Sequence, residues 1–349
     1  MTERVLSTRE LNRAVLARQL LLERSPVPLT EALEQVAGLQ TQYAPSGYVG
    51  LWSRLRDFRR RDLTEALEQR RVVQATMMRS TIHMVSAGDF WPFVTGTRNG
   101  RRAWWLRTHG RQEVLDMEGV AACLRAHLAD GPRRRAELAA KLRAEGFDDV
   151  VWSGAGLWLD MVRVPPSGTW ERRRADLYGL AEDWLGLPSV TEAEGMEHLV
   201  RRYLGGFGPA SLNDLAGWAG LTPTALRPVV AGLELRRFRD EGGRELLDLP
   251  GAPLPDPGTP APVRFLPTWD ATLLVHARRA QILPEDYRSL VFQTKNPQSV
   301  ATFLVDGAVA GSWRYEGGRI VLNPFGRIPR AAQREAGEEA ERLRELHAG

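Results

Sequence analysis

What most constrains this chain is a set of short elements that returns along it: brief amphipathic helices, then two short β-rich runs. Ser7-Thr8 ahead of Arg9-Glu10 marks a helix start. Leu11, Val15 and Leu22, widened by Leu16 and Leu20, give that helix one apolar face out to about residue 24. Pro26 and Pro28 stop it, and Thr30 opens a second helix over 31–39. Gln40-Thr41-Gln42-Tyr43-Ala44 then leaves the helix, because the residue before Pro45 is steered to extended backbone. Residues 47–55 and 62–69 read as two more helices. Residues 72–78 and 81–85 are β-rich and flank Arg79-Ser80, which predicts a hairpin.

The order comes back twice. Residues 113–128, 134–144 and 150–161 are helical. Residues 162–164 are expected to pair with 169–172 across Pro165-Pro166-Ser167-Gly168. A helix then follows Thr191 to about residue 204. Ser211 caps 212–219, Gly220-Leu221 turns, Thr222-Pro223 starts 224–233, and strands 235–239 and 245–249 surround Gly242-Gly243. This order predicts three tandem winged-helix units, residues 1–95, 96–188 and 189–250. Six prolines in 250–262 make a semi-rigid linker. Residues 263–349 form a β-rich C-terminal subdomain, with strands at 265–275, 302–305, 309–313 and 319–322 and hairpin turns at Asp306-Gly307 and Gly317-Gly318. Its terminal helix, 331–347, alternates Arg and Glu as a solvated face does. The expected fold class is mainly α with small β-sheets (α+β).

Much chemistry is excluded. A single cysteine, Cys123, allows no intramolecular disulfide and no Cys-rich zinc site. No apolar run approaches the ~20 residues of a membrane span, and Met-Thr-Glu-Arg begins no signal peptide. The six histidines are scattered, and HExxH, CxxC, GxGxxG, Walker A and G-x-S-x-G patterns are absent. No metal, no cofactor, no membrane and no obligate protein partner is expected.

The net charge of +4 is mild, but its distribution is not even. Of 47 basic residues only Lys141 and Lys295 are lysine. Arg98, Arg101, Arg102, Arg107 and Arg111 surround Trp104-Trp105 in a stretch to Gln112 without an acidic residue. Arg133–Arg135, Arg172–Arg174 and Arg236-Arg237-Phe238-Arg239 add three clusters. Wings and helix starts are where a winged helix meets phosphates, and arginine suits bidentate phosphate contact. The bland alternative is surface arginine paired with glutamate.

Several blocks together carry more. Leu6-Ser7-Thr8-Arg9-Glu10-Leu11-Asn12-Arg13 and Ala17-Arg18-Gln19-Leu20-Leu21-Leu22 precede Gly38-Leu39-Gln40-Thr41-Gln42. Gly47-Tyr48-Val49-Gly50-Leu51-Trp52-Ser53-Arg54-Leu55 and Met78-Arg79-Ser80-Thr81-Ile82-His83-Met84-Val85 follow. Phe265-Leu266-Pro267-Thr268-Trp269-Asp270, Val305-Asp306-Gly307 and Gly311-Ser312-Trp313-Arg314 come later. In this order they resemble the AlkZ-like winged-helix DNA glycosylases over nearly the whole chain, most strongly at 6–91 and 263–326. The resemblance implies tandem winged helices around a DNA-sized concavity, excision of alkylated purines and unhooking of interstrand crosslinks. Its catalytic signature, Gln-x-Gln, falls on Gln40 and Gln42; Thr41 departs from the apolar residue often found between them. The implied partner is double-stranded DNA containing alkylated purines, and the implied location is the cytoplasm, on the nucleoid when bound to DNA.

Glutamine exchanges no proton near neutrality, but its amide both accepts and donates hydrogen bonds. An N7- or N3-alkylated purine is already cationic and leaves without being protonated. What remains is to place a water at the sugar carbon and stabilise oxocarbenium-like charge with oriented dipoles. Cationic lesions are then the expected substrates, and uracil or normal bases are not. A backbone-cleaving step commonly uses an amine, and the lysine scarcity points instead to a monofunctional, hydrolytic enzyme. Expected DNA-binding residues are Tyr43, Arg79, Ser80, Thr81, His83, Arg101, Arg102, Trp269, Asp270, Lys295 and Asn296. The other reading is a winged-helix transcription regulator without catalysis.

Overall fold

The computed structural model describes residues 4–109, 115–276, 280–292 and 299–349. Strand β1 (Val5–Leu6) leads into α1 (Thr8–Arg18) through a capping box. Ser7 Oγ accepts from the Glu10 amide, and the Glu10 carboxylate accepts from the Ser7 amide. Helix α1 stops at Arg18, short of residue 24, because Leu20 adopts a left-handed φ of 57° that a right-handed helix does not pass through. Helix α2 (Leu29–Gln35) and strand β2 (Leu39–Gln40) follow. Helix α3 (Pro45–Arg54) begins with the proline, whose missing N–H is no loss at that position. Helix α4 (Arg60–Glu68) precedes a hairpin of β3 (Val72–Thr76) and β4 (Ile82–Ser86). Arg79 and Ser80 turn it with positive φ.

The next element escaped the sequence reading. Helix α5 (Ala87–His109) buries Phe90, Trp91 and Phe93 at its start and carries arginines with exposed Trp104 at its end. No single apolar stripe runs along it, so helical periodicity gives no signal. Arg111 and Gln112 lie outside the described residues.

Helix α6 (Met117–Leu128), strand β5 (Arg133–Arg134), α7 (Arg135–Ala144), α8 (Trp152–Trp158) and β6 (Met161–Arg163) come next. The partner of β6 is not 169–172 but β7 (Leu177–Leu180), with Val162 opposite Gly179. Ser167 is the reason. Its hydroxyl donates to the Arg174 carbonyl (2.6 Å) and accepts from the amides of Asp176 (2.8 Å) and Leu177 (3.1 Å), holding the intervening chain as an ordered loop.

Helix α9 (Ala181–Leu185) is followed by α10 (Glu192–Phe207), α11 (Leu212–Ala219) and α12 (Pro223–Ala231), the last three capped by Thr191, Ser211 and Thr222. Gly220, at φ 72°, turns α11 toward α12. Strands β8 (Arg236–Asp240) and β9 (Glu245–Asp248) close this set.

Strand β10 (Arg264–Leu266) is shorter than expected. Pro267 offers no ladder donor, and Asp270 opens a 3-10 turn at Ala271–Leu273. Helix α13 (Arg288–Val291) leads to β11 (Thr302–Val305), β12 (Ala308–Glu316) and β13 (Arg319–Pro324), an antiparallel sheet in the order β10-β11-β12-β13. Helix α14 (Arg330–Ala348) is not solvated all round. Ala336, Ala340, Leu343 and Leu346 join the core of Leu33, Trp52 and Phe265.

The molecule is mainly α with small β-sheets, as expected. Two arrangements position the site. A six-stranded sheet, β2-β4-β3-β6-β7-β5, joins the first hairpin to the second through Gln74 opposite Arg163 and leaves β2 at its edge. Helices α5 and α10 cross backbone to backbone. A Cβ on Gly96 would sit 2.5 Å from the Gly195 carbonyl carbon, and one on Gly195 would sit 2.6 Å from the Pro92 oxygen. That close approach lets Phe93, Tyr203, Phe207 and Trp218 share one core. A parallel pairing of β1 with β8 ties the start of the described chain to residues 236–240.

Candidate active site

Gln40 ends the edge strand β2, opposite His83 on β4. The pairing continues one residue further, where the Thr41 amide donates to the Ile82 carbonyl at 2.8 Å. Gln40 is 6% exposed, whereas Gln42 faces outward. Both side chains are clamped through their oxygens. Arg79 Nη2 donates to Gln40 Oε1 at 2.8 Å, and the Ile82 backbone N–H donates to Gln42 Oε1 at 2.6 Å. A guanidinium and a peptide N–H can only donate, so the atom each faces must be the amide oxygen. The orientation of both amides is therefore fixed. Each oxygen keeps a second acceptor direction, and each NH2 remains beyond these contacts.

Arg79 is expected from the sequence to meet DNA. The structure turns it inward: its second terminal nitrogen donates to the Trp218 carbonyl at 3.0 Å, and burial lowers its pKa. His83, also expected at the DNA, is buried at 3% exposure. Burial, with Arg79 and Arg101 nearby, pushes its imidazole down to about 3, so it is neutral near neutrality; its Nδ1 lies 3.1 Å from the Thr81 carbonyl. Ser80 is exposed at the hairpin tip and Thr81 is half-buried with its hydroxyl on the Met78 carbonyl at 3.1 Å.

In front of Gln42 lies a cleft of about 520 Å³. Thr76, Ser80 and Ile82 of the first hairpin, Trp104 and His109 of α5, and Arg163, Arg174 and Tyr178 of the second hairpin contribute to its walls. Tyr43, next to Gln42 in the chain and 45% exposed, is not on those walls; its hydroxyl accepts from Arg173 Nη1 at 2.8 Å. Beyond Tyr43 is a second hollow of about 450 Å³ with Trp313, Tyr315 and His347 on its wall. The loop that carries Arg172–Arg174 thus borders the site without being the expected strand.

Other expected residues are elsewhere. Asp270 does not reach a surface. It is 3% exposed, pairs with both terminal nitrogens of buried Arg54 at 3.0 Å, and accepts from the Thr272 amide (3.1 Å) and hydroxyl (2.8 Å). A buried carboxylate keeps its charge only with such partners, and these leave it none for DNA. Trp269 is half-buried, its amide on Ser299 Oγ at 2.6 Å. Arg102 spends its Nε on the Leu157 carbonyl (2.6 Å) and lies over Trp158. Arg101 is buried too, yet it walls a small side pocket of the cleft. Lys295 and Asn296 lie outside the described residues. Lys141 is on α7, 3.4 Å from Glu145. In the last arginine cluster, Arg236 and Arg237 pair with Asp248 and Glu245, the bland reading of those charges.

Sequence reasoning missed Arg163 and the second role of Ile82. Arg163 had a visible signal, a charge between two valines in a β-rich run. The Ile82 amide had none, since backbone donors carry no residue identity.

A family model described as DNA glycosylase AlkZ-like matches residues 33–346. An interstrand DNA cross-link repair glycosylase of Streptomyces sahachiroi is 23% identical over 357 aligned positions, covering 93% of each chain. The solved structure of the Streptomyces sahachiroi DNA glycosylase AlkZ superposes with a TM-score of 0.80 at 18% identity, covering 98% of this chain and 97% of that one, so the two share a fold.

Proposed function

The chain belongs to the AlkZ-like DNA glycosylase family, and from that membership we propose that it hydrolyses the N-glycosidic bond of cationic alkylated purines in duplex DNA. The substrate class covers N7- and N3-alkylpurines, bulky adducts and interstrand crosslinks. The observation that carries this reading is the pair of glutamine amides held in one orientation by Arg79 and Ile82. With one lone pair occupied, each oxygen offers its second to a water, and the two fix that water's lone pair toward the anomeric carbon. The same carbonyl dipoles face the positive charge that develops on the sugar.

The neutral, buried His83 supports a mechanism without a proton donor. That is workable only for a leaving base that is already cationic. The three helix-and-hairpin sets, 1–95, 96–188 and 189–250, are read as tandem winged-helix units that present the cleft to the duplex. Ser80, Tyr43, Trp104 and the Arg172–Arg174 loop are its DNA-facing residues. The room on both sides of Tyr43 favours lesions larger than a methyl group. The enzyme is read as monofunctional and active without cofactor.

Incubation with duplexes bearing N7-methylguanine, N3-methyladenine or a crosslinked purine, followed by heat or alkali, tests the proposal. Strand breaks at the lesion are expected, and none at uracil. No excision of any of the three would remove the enzymatic reading. A borohydride-trapped protein–DNA adduct would remove the hydrolytic one.

A further inference from the structure

Of six buried arginines among the described residues, three come with a carboxylate. Arg54 pairs with Asp270, Arg18 with Asp248 and Arg13 with Asp306. Such pairing is what makes burial of a guanidinium tolerable. Arg264 has no carboxylate, donating to the Val263 carbonyl at 3.1 Å, and lines neither part of the cleft; Arg101 and Arg163 have none either, and these two border it. They are 4% and 7% exposed, and among the described residues neither forms an ion pair. Among the described residues Arg101 makes one long hydrogen bond, Nη2 to the Thr76 carbonyl at 3.5 Å, and its Nε has no partner. Arg163 donates from Nη2 to Thr76 Oγ1 (3.1 Å) and the Tyr178 hydroxyl (3.3 Å) and from Nε to the Ala175 carbonyl (3.2 Å); its Nη1 has no partner.

The two guanidiniums converge on one residue, Thr76, at the end of β3. Nearby carboxylates are hydrogen-bonded or paired to other arginines: Asp160, whose charge also acts on Arg101 from a distance, to Arg98 at 2.7 Å, and Asp176 to Arg134 and Arg174 at 3.2 and 3.1 Å. Arg163 is on the wall of the main cleft, and Arg101 on that of the adjoining side pocket. Thr76, Ser80 and Tyr178 line both. Burial lowers the pKa of each arginine, that of Arg101 to about 10, which leaves Arg101 charged near neutrality.

We infer that Arg101 and Arg163 form a receptor for a single DNA backbone phosphate beside the reacting nucleotide. A phosphodiester supplies the missing negative charge, and its two free oxygens match two guanidinium donors. The Thr76–Ser80 turn that borders this receptor continues into Ile82, whose amide clamps Gln42, so the phosphate grip and the water-positioning amide share one hairpin. The inference rests on the proposed reading of the cleft as a DNA site.

The test is a binding scan with duplexes that carry an abasic analogue, each with one phosphate replaced by a neutral methylphosphonate. In the wild-type protein, one position flanking the analogue is expected to weaken binding about tenfold, the loss of a charge-assisted contact. In Arg101→Met/Arg163→Met that position is expected to cost less than twofold, while the remaining positions cost both proteins alike. The double variant is also expected to melt at a higher temperature, since it relieves two unpaired buried charges. A flat scan in the wild type overturns the inference even if the variant fails to fold. So does an equal loss in both proteins, or protection by inorganic phosphate with no discriminating position in the duplex. Absence of any duplex binding by the wild type overturns the DNA reading along with it; a flat scan with binding intact overturns this inference alone.

Discussion

Arg79 and Gln40 are joined head to head, the guanidinium donating at 2.8 Å to the amide oxygen from a residue whose own φ is +52°. A non-glycine residue rarely holds such a backbone conformation, and here it aims a long side chain back under its own hairpin. The arginine fixes the glutamine by geometry, and its attachment to the Trp218 carbonyl ties that geometry to α11.

Arg79→Ala frees the Gln40 amide to rotate. Its single-turnover excision rate is expected to fall about tenfold to a hundredfold, as losses of supporting contacts do. Duplex affinity changes little, because Arg79 faces the interior. A larger effect on affinity than on rate would place Arg79 on the DNA instead.

Gln40→Ala and Gln42→Ala are each expected to cost about 10²–10³ in excision rate, the scale for removing one preorganised dipole. If the two act on one water, as proposed, the double variant should lose little more than the worse single one. Heat-labile sites counted at fixed time points give the ranking. Independent, multiplying losses would argue for separate roles.

Asp270 makes the contrast. Asp270→Ala strands the Arg54 charge in the interior, a change that costs about 3–5 kcal/mol of stability. Asp270→Asn keeps an acceptor and should cost less. Urea unfolding measures both, and excision per folded molecule is expected to stay near wild type.

These residues mark how far the sequence could be read. Ser7, Thr191, Ser211 and Thr222 announced their helices because capping is local chemistry. The Gln40/Gln42 pair was legible only through the blocks around it. Asp270 read as a DNA-binding residue because its partner, Arg54, is 216 positions away in sequence. Helix α5 was hidden because its buried face carries polar Thr97 and Arg101 between Val94 and Trp105, and the β6 pairing was mistaken because Ser167 captures backbone that would otherwise have formed a ladder. Local signals survive in a sequence, whereas pairings between distant segments do not.

Acidification should expose His83. Its folded pKa of about 3 lies below the ordinary 6.5, so above pH 6.5 it is neutral in both states and contributes no pH dependence. Between 6.5 and about 3 the unfolded chain takes up a proton that the folded one refuses, and stability falls, by an amount on the order of a few kcal/mol. His347, lowered to about 4 by burial and by Arg173 and Arg60, adds to the same decline. Unfolding curves at pH 7 and pH 5 should show the loss, and His83→Asn should flatten it. An unchanged slope in the variant would place the titration elsewhere.

Gly96→Ala introduces a carbon 2.5 Å from the Gly195 backbone. Because backbone cannot yield as a side-chain tip does, a cost of about 1–3 kcal/mol or more is expected. Gly156, with open space around the same added carbon, is the control and should change stability by under about 0.5 kcal/mol beyond its helix propensity.

The loop between β6 and β7 has one more consequence. Its ends are anchored in the sheet that carries Gln40, while Arg172–Arg174 hang from its middle. In the proposed reading, bond-breaking and target choice then fall in separate stretches of chain. The exposed side chains of residues 171–173 can be exchanged or recharged without touching that anchoring, whereas Trp170, buried against Tyr48, and the Arg174 carbonyl held by Ser167 belong to it. If the loop meets DNA as proposed, a library confined to those three positions is expected to alter which lesions are accepted and to leave the excision rate on a given lesion unchanged. The scaffold is, in that sense, a fixed blade with an interchangeable guide.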